Sequence, residues 1–348
     1  MDVADVVLGA TTQDAAFVVL IVAARLLVPL VIPRVPLVIV VALVIDAADQ
    51  TLLATFTGID TSDAGAYQSV DKALDIYYLS IAYLSTMRNW TSRPAFRIAQ
   101  FLFYYRLVGS MLFELTDDRL MLLLFPNTFE YFFIAYELAR LRYEPARFSA
   151  RFWVLVAAAL WIFVKLPQEY WIHVAKLDFT DTVSDYPAFG VAVVVALAVA
   201  AIGVVFVVLP RLPAPDWAWR PSAGPVPATP ARGRLVHRDV VEQVALLTLL
   251  CTIFASILPG IDATGPQIAV AVTAIVLVNA AINVAAPPAL LVTNLALVYL
   301  ANALLGERRD FELGIGLFFA FLITTIIWLY DAYRPVHDQR SALRTADV

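Results

Sequence analysis

Apolar residues along this chain come in long unbroken runs, with no strand-like alternation of single apolar and polar positions. A helix that crosses a bilayer needs about 20 mostly apolar residues. Runs that meet this rule predict helices at residues 14–32, 36–56, 72–89, 95–114, 119–141, 151–174, 188–209, 240–258, 266–284, 287–305 and 311–333. The tenth is the weakest, so ten or eleven spans are expected. The fold class that follows is all-α, a polytopic integral membrane helical bundle.

Polar punctuation divides these runs. Between the first two stands IPRVP, whose prolines lack an N–H and restrict the residue before them, so the helix must break there. A longer interruption, residues 210–238, holds seven prolines and five arginines and reads as an extended linker. The chain is therefore expected to comprise an N-terminal membrane bundle (1–209), this linker, an apolar C-terminal bundle (239–335) and a polar tail (336–348). No internal repeat relates the two bundles, which argues against an inverted-repeat architecture. There is no GxxxG, so close helix packing must rest on Ala, Ser and Thr.

Composition agrees with the pattern. The chain is 61% hydrophobic and only 15% charged, against about 25% charged in a typical soluble protein, and its mean hydropathy is +0.79. Its start, MDVADVVLGATTQDAAF, has no basic segment ahead of the first apolar run, so a cleaved signal peptide is not expected. Cys251 is the single cysteine. It can form no disulfide within the chain and reads as a packing residue.

The distribution of Lys and Arg predicts orientation. Arg34, Arg88, Arg93, Arg97, Arg140, Arg142, Arg147, Arg151, the linker arginines and those of the tail all fall on one side. The other keeps Lys72, Arg119, Lys176, Arg308 and Arg309 with the acidic residues Asp60, Asp63, Asp71, Asp117, Asp118, Asp178, Asp181 and Asp185. The expected placement is a multi-pass protein of the cell (plasma) membrane with a cytoplasmic C-terminus.

Ionisable residues inside the apolar runs carry the candidate chemistry. In WIFVKLPQEYWIHV, residues 161–174, Lys165, Glu169 and His173 stand at i, i+4 and i+8 and share one helix face. Asp46, Asp49 and Gln50 share a face in the second segment, Arg106, Ser110 and Glu114 in the fourth, and Asn127, Glu130 and Glu137 in the fifth. Arg25 lies mid-span in the first, and Asp75 lies a turn beyond Asp71 in the third. Eight such charges left unpaired in lipid would cost on the order of 20 kcal/mol, more than a marginally stable fold carries. The stripes must therefore face each other or a water-filled cavity.

The pairing expected is of Arg25, Arg106 and Lys165 with several of Asp46, Asp49, Glu130 and Glu169. Ion pairs that only fix helix register are the plainer reading, for Arg106 with Glu114 or Glu130 above all. Asp46 and Asp49 are the most specific element, because two acids a turn apart in a low dielectric cannot both ionise cheaply unless a cation intervenes. Pro126 with Asn127, and Pro167, interrupt two of these helices. Each marks either a simple kink or a place where freed backbone carbonyls could coordinate an ion.

No metal-ligand spacing, P-loop, GxGxxG or GxSxG is present, so no metal and no cofactor is expected. The segments IDAADQ, RNWTSRPAFR, FYYRLVG, FPNTFEYFF and KLPQEYWIH resemble those of a family of polytopic membrane proteins from high-GC, actinobacterial-type bacteria. The resemblance covers mainly residues 35–180 and implies a source class but no activity.

The function expected is a transporter or channel for a small ion or solute, with proton coupling left open. Asp46, Asp49, Gln50, Arg106, Glu130, Lys165, Glu169 and His173 would line its pathway, with Arg25, Asp75 and Glu114 as counter-charges and Glu130 relaying toward Glu137. A membrane enzyme acting on a lipid-linked phosphate substrate is the alternative, and a receptor or scaffold subunit the third reading. The partners expected are the lipid bilayer and the transported ion or solute, with a homo-oligomer left open and no nucleic acid.

Overall fold

The structure is a computed structural model that describes residues 12–57, 66–116, 118–175, 182–183, 185–216, 218, 220, 238–258, 261, 263–282, 286–305 and 312–346. Asp60, Asp63, Asp117, Lys176, Asp178, Asp181, Arg308, Arg309 and linker residues 221–237 lie outside the described residues, as do the side chains of Gln50 and His173.

Helix is the only regular structure among the described residues. The helices are α1 (Thr12–Leu27), α2 (Val38–Thr57), α3 (Ala66–Asn89), α4 (Arg93–Thr116), α5 (Leu120–Leu124), α6 (Thr128–Arg140), α7 (beginning Ala150–Leu160), α8 (beginning Pro187–Gly203), α9 (Arg238–Ile257), α10 (Gly265–Ile282), α11 (Pro287–Leu305) and α12 (Leu313–Ala346). Beyond Leu160, α7 continues through a π-turn (Trp161–Lys165), a short α stretch (Leu166–Glu169) and a second π-turn (Tyr170–Val174). Pro167 sits between the two π-turns. Its missing N–H disrupts the regular ladder, and the wider turns absorb the mismatch.

All eleven segments expected from the apolar runs are helical, with two differences. The fifth is two helices, because Phe125, Pro126 and Asn127 leave helical geometry and separate α5 from α6. The last does not stop where its apolar run ends. It passes through Pro335 and reaches Ala346, so most of the expected tail is helix. This extension is held by packing: Val336 is buried, the His337 ring lies 3.8 Å from that of Phe96, and Arg340 donates to the Arg88 carbonyl.

Five stretches are long and apolar enough to cross a membrane: Ala150–Ile172, Asp239–Ile257, Gly265–Ile282, Pro287–Leu305 and Leu313–Arg340. The apolar surface they leave exposed (Phe163 77%, Val292 69%, Leu304 73%) would be untenable in water and is ordinary against lipid. The protein is a multi-pass membrane protein.

Hydrogen bonds between turns define one face of the bundle. Asn89 donates to the Pro33 carbonyl at 3.0 Å, Thr91 to Glu144 at 2.7 Å and Tyr143 to the Pro213 carbonyl at 2.8 Å. Together with the Arg340–Arg88 contact, these place IPRVP, residues 90–92, residues 141–149, the start of the linker and the end of α12 on one face, here called the basic face. The core is continuous across the linker. α3 lies at its centre, against α1, α2, α4 and α6 on one side and α9 and α12 on the other, and every residue from Ala73 to Met87 is buried.

Candidate functional site

Four of the sequence-derived residues meet at Arg25. Its guanidinium, at the end of α1, contacts Asp46 and Asp49 of α2 and Asp71 and Asp75 of α3. Nη1 lies 2.5 Å from Asp49 and 2.7 Å from Asp71, and Nη2 contacts Asp46 and lies 2.8 Å from Asp75. Only arginine offers a rigid fork of five donors that can serve several carboxylates at once. Its side chain is 4% exposed, as is that of Asp49, whereas Asp46 is 21% exposed and gives the cluster an open edge.

Lys72 is the second cation. Its Nζ lies 2.9 Å from Asp71 and 3.7 Å from Asp75, so the two α3 carboxylates are shared between both cations while the α2 pair depends on Arg25. Four carboxylates against two cations leave two formal negative charges in excess. Oxygen atoms of Asp46, Asp49 and Asp71 all lie within 4.8 Å of one another, a spacing that suits a hard cation. The guanidinium already occupies the point where they converge.

A second polar group adjoins the first through Tyr78. The Tyr78 hydroxyl donates to Glu130 at 2.6 Å and lies within electrostatic reach of Asp75 and Asp46. Glu130 also accepts from Asn127 Nδ2 at 3.0 Å, and the Asn127 backbone N–H donates to Glu169 at 3.3 Å. Lys165 Nζ pairs with Glu169 at 3.5 Å and donates to Gln168 Oε1 at 3.0 Å, lying over the Tyr131 ring. Arg106 donates to the Phe125 carbonyl at 3.1 Å.

This second group is built around the α5–α6 break. Phe125 turns its side chain against α4 so closely that a Cβ on Gly109 would sit 2.1 Å from the Phe125 Cβ. No larger residue fits there without moving the break. The Asn127 Oδ1, Arg106 Nε, Ser110 Oγ and Thr128 Oγ1 atoms are buried around it without a hydrogen-bond partner among the described residues. Buried polar atoms are normally satisfied, which makes this group of four, beside Glu130 and Glu169, the candidate polar site next to the Arg25 cluster.

By helix rise, Asp46, Glu130 and Tyr78 all stand about 15 Å from the turns of the basic face, near the middle of a bilayer core about 30 Å thick. By the same rise, Phe132 and Phe133 stand nearer that face than Glu130, while Phe103 and Phe129 stand at about its depth, and all four rings are fully buried. Beneath these rings Glu137 accepts from Trp90 Nε1 at 2.9 Å and pairs with Arg140 at 2.8 Å, while Trp90 stacks on Tyr136 with ring centres 3.8 Å apart. Glu130 and Glu137 stand on the same helix with these rings beside them and share no hydrogen-bond partner.

The arrangement departs from the expected pairing in particular ways. Arg25 gathers Asp46 and Asp49, and Lys165 takes Glu169. Glu130, however, is held by two neutral partners, and Arg106 by a carbonyl. Glu114 accepts from Ser256 of α9 at 3.3 Å. Asp71, read in the sequence as a loop residue, and Lys72, the first residue of the expected 72–89 segment, are members of the cluster because α3 begins a turn and a half before that segment. The helical placement of Gln50 and His173 is described, but not their side chains.

One polar node was not foreseen at all. On α9, Glu242 accepts from Tyr83 of α3, from Gln100 of α4 at 2.9 Å, and from Tyr330 at 3.0 Å and Arg334 at 2.6 Å of α12. Three of its partners are Tyr or Gln, which give no charge signal in a sequence. Among α10, α11 and α12, Asn279 donates to Asn294 at 2.7 Å and Asn294 to Thr324 at 2.9 Å.

Comparison with known protein families, with curated proteins and with solved structures finds no match for this chain.

Proposed function

We propose that the protein is a transporter that moves a small ion or solute through the α1–α7 region and takes up protons at the Arg25 cluster. The observation that carries this reading is the excess of carboxylates over cations in a mostly buried site. Uncompensated charge there costs several kcal/mol per ion, so protons must balance it. The convergent point is filled by a guanidinium, which favours protons over a metal ion as the compensating charge.

The neighbouring features fit the same reading. Discontinuous membrane helices commonly hold the substrate in transporters, and the α5–α6 break places unsatisfied polar atoms beside Glu130 and Glu169. Tyr78 links this region to the cluster. The buried rings of Phe132 and Phe133, on the basic-face side of Glu130, would act as a closed gate in this conformation, and the π-turns around Pro167 give α7 a place to bend. Placement in the plasma membrane with the basic face and C-terminus cytoplasmic follows the Lys and Arg bias.

The test is flux in proteoliposomes under an imposed proton gradient, with Asp46→Asn and Glu169→Gln beside the native chain. Proton-coupled flux that is present in the native protein and abolished in folded variants is expected. Absence of flux for every ion tested, in well-folded protein, would mean that the ion pairs serve only to hold the helices in register.

A further inference from the structure

A cavity of about 610 Å³, counted out to its open mouth, lies among α9, α10, α11 and α12, away from the Arg25 cluster and from the α5–α6 break. Its enclosed part is about 100 Å³, several times the ~10–15 Å³ that one water needs. Its wall deep in the bundle is apolar: Cys251, Val272, Ile275, Val298 and Ile323. Alanines at 255, 263, 271 and 301 make the space, since each leaves room that a larger side chain would fill.

Polarity is confined to one end. Gln267 and Asn302 stand near the start of α10 and the end of α11, at the face opposite the basic one. Gln267 is already engaged: its Oε1 accepts from the Thr264 N–H at 2.7 Å and its Nε2 donates to the Leu305 carbonyl at 3.2 Å. The Asn302 side chain makes no hydrogen bond among the described residues. From Gln267 to Ile275 the lining runs about 12 Å along α10.

Water does not suit this space, because a cavity without polar partners stays dry. The lining residues of α9, α10, α11 and α12 belong to stretches long and apolar enough to cross a membrane, and Val270 and Leu304 on two of these helices are 60% and 73% exposed. The cavity therefore lies within the depth of the bilayer, where hydrocarbon is the medium around its walls. An apolar slot about 12 Å deep, with an unengaged amide at its membrane-face end, matches a lipid chain whose ester or carboxyl group stays near the surface.

We infer that this cavity is a binding site for one acyl chain of a bilayer phospholipid, with Asn302 donating to the ester carbonyl. The site is independent of the transport reading and stands or falls separately.

The full-length protein would be reconstituted in phosphatidylcholine vesicles containing a phospholipid with a photoactivatable group at the end of one chain, and adducts mapped by peptide mass spectrometry. Exposed Val270 and Leu304 report ordinary lipid contact. The site is supported by additional adducts at the buried Cys251, Val272 and Ile275, and by their loss in Ala271→Phe while those at Val270 and Leu304 persist. Adducts restricted to the exposed positions overturn it in the native protein alone, whatever the variant does. Buried adducts that are unchanged in Ala271→Phe, or in the milder Ala301→Leu where the first does not fold, overturn it as well.

Discussion

Helices α3 and α8 are opposites in both sequence and position. α8, PAFGVAVVVALAVAAIG, has no charged residue, yet its valines are outermost: Val191 is 65% exposed, Val194 66% and Val199 62%, and among the described side chains it gives none to the buried core. α3 carries Asp71, Lys72 and Asp75 with three serines and a threonine, and is enclosed on every side. In a water-soluble protein the two would trade places. In lipid the apolar helix is the surface, and the polar helix must be surrounded by protein that satisfies it. Hydropathy here ranks exposure to lipid, and the most polar helix of the bundle marks its centre.

That contrast can be broken most forcefully at Arg25. Replacing it by methionine leaves four aspartates without the cation that gathers them, and removing one partner of a buried ion pair costs about 3–5 kcal/mol. A large fall in the thermal unfolding midpoint in detergent is expected. Adding Asp46→Asn and Asp49→Asn to that background should recover part of the loss, because the orphaned carboxylates are then gone. A midpoint unmoved by Arg25→Met would mean that the cluster contributes nothing to holding α1, α2 and α3 together.

A smaller effect separates the two helices directly. Ala82 of α3 is fully buried, so Ala82→Leu overpacks the centre and should cost about 1–3 kcal/mol. Val195 of α8 is 54% exposed, and Val195→Ala should change stability by no more than about 0.5 kcal/mol. Unfolding midpoints of the two variants, measured side by side, test the assignment of inside and outside. Equal losses would place α8 against protein, such as a second copy of the chain, in place of lipid.

Much of the fold was legible because lipid imposes a length and a hydropathy on each span. The break at IPRVP was visible because proline acts locally, whereas Pro126 read only as a kink or carbonyl-freeing point within one span. The full separation of α5 from α6 depends on Phe125 packing against α4. The extension of α12 was not visible either, because its support comes from Phe96 and Arg88, distant in sequence. The candidate site was legible as helix stripes, which fixed that Asp46 and Asp49 face the same way as a partner cation. Which cation it would be depends on helix packing, and so does the recruitment of Asp71 and Lys72 from what reads as the outer edge of a span. Glu242 escaped notice because a lone glutamate near a span end looks like a surface residue. Only the convergence of Tyr83, Gln100, Tyr330 and Arg334 makes it a junction between the two sides of the linker.

The central functional claim is that the Arg25 cluster holds protons to balance its surplus carboxylates. Infrared spectroscopy of the protein in liposomes at neutral pH tests it most directly, through the carbonyl stretch that only a protonated carboxyl shows and its shift in deuterium oxide. The account predicts such a band in the native protein and its weakening in Asp46→Asn and Asp49→Asn. A native protein with no protonated carboxyl at neutral pH would contradict it.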